Sequence, residues 1–125
     1  MSRLILVSGS REFPSPELVK DRIRTALTPE DRLMHGCAQG VDTWAEEAAR
    51  ESGATILRRP ADWDRFGIRA GLLRNAEMFD EALCADDYRI LMFWDGQSPW
   101  TKHMIDRCVV ASIPHDIIRP DSTAL

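Results

Sequence analysis

The sequence has no long N-terminal apolar run, no paired-cysteine framework, no metal-ligand spacing and no excess of positive charge. Each absence removes a class of function. The apolar run near the N-terminus is four residues, Leu4–Val7, too short for a signal-peptide core or a membrane span. The three cysteines, Cys37, Cys84 and Cys108, lie far apart with no CxxC, which fits reduced thiols in a cytosol rather than a stapled secreted domain. The histidines, His35, His103 and His115, show no metal-ligand spacing. A net charge of −4 gives no bulk attraction to nucleic acid or to an anionic membrane. A cytoplasmic protein is expected, with no membrane partner, and with nucleic acid disfavoured as a partner. Neither GxGxxG nor GxxxxGK[ST] occurs, and no nucleophile–base pair is legible. No metal and no cofactor are expected, and no catalytic residue is assigned.

What is present is an alternation. LILV at 4–7 is a short, continuous apolar run, the pattern of a parallel strand buried on both faces. Ser15-Pro16 opens a helix over 16–27, with Pro16 in its first turn. Residues 33–35 predict a second strand. Val41, Trp44, Ala45, Ala48 and Ala49 share one face of a helix that Gly53 ends. Strands follow at 54–58, 89–94 and 115–118, with a loop at 60–67 and helices at 68–83 and 101–111. Strands and helices in this order predict a Rossmann-like three-layer α/β/α fold with a mostly parallel sheet of about five strands. The 125 residues fit one domain, with a core over about 3–118 and a polar C-terminal tail.

Ligands of open α/β sheets bind beyond the carboxyl ends of the strands, so the strand exits carry the candidates. The first exit is Ser8-Gly9-Ser10-Arg11. Arg11 suits a planar fork on phosphate or is an ordinary surface arginine, and the serines donate to phosphate or cap the turn. The second exit is HGCAQGVD at 35–42. Its Gly36 and Gly40 allow backbone N–H groups to approach an anion at a helix N-terminus, or simply make a tight turn. Asp42 is read as a helix cap, as a carboxylate complementing the helix dipole or, in a ligand role, as an acceptor for ribose hydroxyls, because a carboxylate repels phosphate. Trp63 stacks on a base or lies under a loop. Asp95-Gly96, with Ser98 and Thr101, forms a second small-residue turn before a helix. Cys37 beside His35 is weak evidence for a dyad, since an activated thiol needs a positioned base.

GSREF at 9–13, HGCAQGVDTWA at 35–45, PADWDRFGIRAGLLRN at 60–75 and FWDGQSPWT at 93–101 together resemble the YspA-type branch of the SLOG superfamily. Relatives of that branch include the Lonely-guy phosphoribohydrolases, the YpsA proteins and the DNA-processing protein DprA. The resemblance runs over about residues 3–118. It implies a nucleotide or nucleotide-derived ligand held by Gly9, Ser10 and Arg11 on one side and by Gly36, Gly40 and Asp42 on the other, with His35 beside the glycine loop as a further candidate contact. Asp62 and Trp63 join the set, and Arg74-Asn75 matches the family's RN pair. Asp95, Gly96, Ser98 and Thr101 match its second glycine-rich turn. Relatives commonly pair into dimers, so a homodimer is an implied partner.

Two departures stand out. The family places glycine before the threonine of the second turn, where this chain has Trp100. Lonely-guy enzymes carry a glutamate three residues past that threonine, where this chain has Met104, so their N-glycosidic chemistry lacks its acid. The expected function is therefore a nucleotide sensor or sequestering module, in phage or mobile-element biology. A nucleotide-processing N-glycosidase ranks second. Single-stranded DNA binding in the manner of DprA, through Arg58, Arg59, Arg65 and Arg69, ranks third.

Overall fold

The computed structural model describes residues 2–121. Five strands, β1 (Leu4–Gly9), β2 (Arg32–His35), β3 (Thr55–Arg58), β4 (Tyr88–Phe93) and β5 (Asp116–Ile118), form one sheet in the order β3-β2-β1-β4-β5. Every pairing is parallel, so the expected mostly parallel sheet is entirely so. The helices are α1 (Pro16–Ala26), α2 (Val41–Glu51), α3 (Trp63–Phe66), α4 (Ala70–Leu83) and α5 (Pro99–Val110).

The apolar run that opens the sequence is continuous because both sheet faces are covered. Ile5 and Val7 point into a core shared with Val19 and Ile23 of α1 and Val41, Ala45 and Ala48 of α2. Leu4 and Leu6 point the other way, onto Met78 and Ala82 of α4 and Met104 and Cys108 of α5. This is the period-two alternation of a strand between two helical layers. Met104, at the position where a catalytic glutamate was sought, is fully buried in this second core.

Local signals set the ends of several elements. Ser15 Oγ accepts from Leu18 N at 3.3 Å, and Pro16 sits in the first turn of α1. Gly53 has φ +77° just beyond α2. Several boundaries differ from expectation. The stretch 60–67, expected as loop, contains α3, followed by a 3₁₀ turn over Gly67–Arg69. Asp62 caps α3 by accepting from Arg65 N at 3.2 Å, so its carboxylate serves the helix. The last helix starts two residues early, because Pro99 takes a first-turn position that needs no N–H. Among the described residues no helix is long and apolar enough to cross a membrane.

Candidate functional site

The chain runs from β1 outward through β2 to β3, then returns to β4 and β5 on the other side. The strand order therefore reverses between β1 and β4, and a crevice opens there beyond the carboxyl ends of the strands. Ser8, Gly9 and Arg11 line it from the first exit, and Gly36, Cys37, Ala38 and Asp42 from the second. Arg74, Asn75 and Met78 of α4 form another wall, with Trp63, Ser98 and Trp100 around the mouth. The cavity is about 80 Å³. A larger groove of about 560 Å³ lies between α1 and the β4–β5 edge. There Arg89 is already paired with Asp116 at 3.1 Å, whereas the small crevice holds charge that is not neutralised in this way.

The glycines of the crevice make room for the protein's own atoms. A Cβ on Gly9 would overlap the Val41 side chain, so Gly9 lets the end of β1 meet the start of α2. One on Gly36 would overlap the Arg74 guanidinium. Gly40 has φ +80°, and a Cβ there would sit 2.7 Å from the Arg11 carbonyl oxygen. The expectation that these glycines admit an anion to backbone N–H groups needs correcting. The N–H groups of Gly36 and Ala38 both donate to Asp42 Oδ2, each at 3.1 Å. Asp42 is not the helix cap, since that position belongs to Gly40, but it stands in the first turn of α2, where a carboxylate complements the helix dipole. The loop closes around a carboxylate from the first turn of α2.

Asp42 is 4% exposed, and its Oδ1 is buried without a hydrogen-bond partner among the described residues. Burial pushes its pKa up, against the opposing pull of His35, the loop N–H groups and Arg74. Arg74 donates through Nη1 to Gly36 O and through Nε to Asn75 Oδ1 at 3.0 Å. Burial lowers its pKa, while Asp42 acts to raise it. Asn75 is buried and donates through Nδ2 to the Trp100 carbonyl at 3.3 Å. Arg11 lines the crevice, is exposed, and has no ion pair or side-chain hydrogen bond among the described residues. Two guanidiniums thus face a small cavity whose nearest carboxylate is held back by two backbone donors.

His35 is buried and lies outside the crevice lining. Its Nδ1 accepts from Cys37 N at 3.0 Å, which places the proton on Nε2, and Nε2 donates to Glu46 Oε1 at 2.7 Å. Glu46 also takes a two-pronged bond from Arg58, at 2.8 and 2.9 Å, and pairs with Arg50 at 2.7 Å. The Arg58 bonds lead in pulling the Glu46 pKa down, from 4.5 to about 2. Folded protein therefore binds this proton more weakly than the unfolded chain does. The stabilisation is complete above about pH 4.5 and is lost as pH falls through about 2. Both arginines are more than half exposed, so screening reduces its worth to about 1–2 kcal/mol. Glu46→Gln should lose that amount at neutral pH and flatten the acid limb of the stability curve, measured by denaturant unfolding across pH. An acid limb that keeps its slope in the variant would contradict this assignment. The same pair, together with the Arg59–Glu81 contact at 2.6 Å, neutralises half of the basic patch considered for DNA.

The second turn is also largely self-satisfied. Asp95 Oδ1 accepts from Gln97 N and Ser98 N, both at 2.8 Å. Burial acts to raise its pKa, but these backbone donors prevail and lower it. Ser10 is fully buried, and its Oγ accepts from Asp95 N at 3.2 Å. Ser10 therefore clamps the β1 exit to the β4 exit and does not face the crevice, whereas Ser8 does. Gly96 has φ +87°, and its missing Cβ leaves space occupied by Arg119. Thr101 is buried. Ser98 reaches the crevice at the start of α5, a helix with no side-chain cap.

Trp100 does not plug the turn. Its ring lies over Gly71, 3.2 Å from where that residue's Cβ would be, and packs edge-on to Trp63 with centroids 6.2 Å apart. A glycine in the first turn of α4 thus accommodates the bulky residue at position 100.

The structure brings together Gly9, Arg11, Gly36, Asp42, Trp63, Arg74, Asn75 and Ser98. It leaves Ser10, His35, Gly40, Asp62, Asp95, Gly96 and Thr101 outside the lining, in supporting positions. Met78 and Ala38 were missed. Met78 lies four residues beyond Arg74, on the same helical face, which is the signal that would have found it. Cys37 has φ 62° and a thiol pushed up by burial and then by Asp42, the reverse of activation.

No solved structure matches the chain significantly. The chain is 33% identical over 121 residues to the Gene 61 protein of Mycobacterium phage D29, covering 90% of this chain and 93% of that protein. Residues 3–66 match the model of the YspA, cpYpsA-related SLOG family, a span that includes the first two strand exits and the residues that close around Asp42. This match covers half of the chain, and the chain belongs to the YspA, cpYpsA-related SLOG family.

Proposed function

We propose that the crevice binds a nucleotide or nucleotide-derived ligand through its phosphate, and that the protein acts as a sensor or sequestering module. The observation that carries this reading is the pair of guanidiniums at the switch point, Arg11 without a partner and Arg74 desolvated. Such forks match phosphate geometry, and a dehydrated site strengthens the attraction. The uncapped N-terminus of α5 adds a favourable dipole end at Ser98. A cavity of about 80 Å³ is well under the roughly 300–1,000 Å³ of small-molecule sites. A phosphate-sized group fits as the crevice stands. The rest of a nucleotide requires Trp63, which is 45% exposed on a four-residue helix, to swing outward and offer its face to a base. The phage relative supports a phage or mobile-element setting.

Binding ranks ahead of turnover. Met104 is a core residue, Cys37 is not activated, and no other nucleophile is assigned. DNA binding ranks last, because Arg58 and Arg59 are engaged by Glu46 and Glu81.

The test is thermal unfolding of wild type and Arg11→Ala against nucleoside mono-, di- and triphosphates, NAD, ADP-ribose and cyclic nucleotides. A ligand at about 100 times its Kd stabilises by about 2.7 kcal/mol, which should raise the wild-type Tm by roughly 10 °C and largely disappear in the variant. An equal rise in both proteins would remove Arg11 from the site.

A further inference from the structure

We propose that Asp42 makes this site selective for ribose over deoxyribose, its Oδ1 accepting a hydrogen bond from a sugar hydroxyl while Arg11 and Arg74 hold the phosphate. The inference rests on the nucleotide reading above and adds the sugar to it. Asp42 is almost completely buried at a position that lines the crevice. One of its oxygens is satisfied twice, by Gly36 N and Ala38 N. The other, equally buried, has no donor among the described residues. A buried acceptor left open is costly and unusual, and its presence at the wall of the crevice points to a donor that arrives with the ligand.

The surroundings decide what kind of donor. A cationic group would meet Arg74 and Arg11, and no set of three metal-ligating side chains converges among the described residues. A phosphate oxygen would meet a carboxylate. A neutral hydroxyl suffers neither repulsion. It supplies the missing proton to Oδ1, and it does so beside a phosphate only if the ligand carries a hydroxyl-bearing sugar next to its anionic group. A bond of this kind also favours the ionised carboxylate over the protonated one, offsetting the effect of burial on Asp42.

Asp42→Asn separates the two oxygens with little change of shape. The amide carbonyl must stay where Oδ2 was, because Gly36 N and Ala38 N need an acceptor. The amide NH₂ then stands where Oδ1 was, a donor in place of a charged acceptor. The experiment measures Kd by titration calorimetry for adenosine, guanosine, cytidine and uridine 5′-monophosphates and their 2′-deoxy and 3′-deoxy counterparts, with wild type and Asp42→Asn. Wild type should bind at least one ribonucleotide about tenfold or more tighter than one of its deoxy forms. In Asp42→Asn that ratio should fall to about twofold or less, while the unliganded variant unfolds at the wild-type temperature or above. Wild type binding ribo and deoxy forms equally overturns the inference and leaves the nucleotide reading standing. Discrimination that survives in a folded Asp42→Asn overturns it as well. If no monophosphate of either sugar binds wild type, the sugar assignment fails, and the nucleotide reading then stands or falls on the wider thermal panel.

Discussion

Gly9→Ala is expected to destabilise the protein by about 3 kcal/mol, towards the upper end of overpacking costs. The added Cβ would overlap Val41 Cβ and Cγ1 and lie 2.6 Å from Cγ2. Val41 is completely buried and is the first residue of α2. Its branched side chain has little rotamer freedom in a helix, so relief requires the start of α2 to move away from the end of β1. The same movement pulls the Asp42 carboxylate off the Gly36–Ala38 loop. A drop in Tm of about 10 °C should follow, since about 1 kcal/mol corresponds to several degrees in a chain of this size. Gly67 is the matched comparison. It has φ +57° and ψ −137°, a region almost confined to glycine, but nothing lies within 4 Å of its missing Cβ, so Gly67→Ala bears only a backbone penalty of about 1–3 kcal/mol. A Gly9→Ala variant that unfolds within a degree or two of wild type would show that the β1–α2 contact is looser than described.

Arg74→Ala is the second large effect, and it acts on both stability and binding. The guanidinium fills the space over Gly36, donating to the Gly36 carbonyl and to Asn75 Oδ1. Truncation leaves both acceptors without that donor and leaves Asp42 buried beside a smaller positive field. A loss of about 2–3 kcal/mol is expected in denaturant unfolding. Any nucleotide that binds wild type should bind the variant at least about 30-fold more weakly, the cost of removing a desolvated charge from its partner. Arg74→Lys should recover little, because an ammonium cannot bridge Gly36 O and Asn75 Oδ1 as a planar fork does. Full nucleotide affinity in a folded Arg74→Ala would move the phosphate elsewhere.

The fold was largely legible because its signals are local. Leu4–Val7 reads as a strand covered on both faces, and the two cores divide its residues as that reading requires. Ser15-Pro16 and Gly53 mark helix ends through their own capping and backbone preferences. The crevice was legible in part, since strand exits follow from strand order. What could not be read is how the pieces meet across the sequence. Gly9 answers to Val41, Gly36 to Arg74 and Gly71 to Trp100, pairs that no window of neighbouring residues reveals. Ser10 looked like a phosphate donor until the Asp95 amide took its hydroxyl. His35 looked like a ligand contact until Glu46, eleven residues on, took its ring. Trp100 departs from the family pattern, and the glycine that makes room for it, Gly71, sits on another helix.

On the proposed function, the crevice holds the phosphate of a nucleotide. Its most direct test is the wild-type arm of the thermal panel, with every nucleotide paired with its unphosphorylated nucleoside. At least one nucleotide should raise Tm by several degrees at saturating concentration, while its nucleoside does not. A nucleoside that stabilises as strongly as its phosphate, or no shift with any member of the panel, would contradict it.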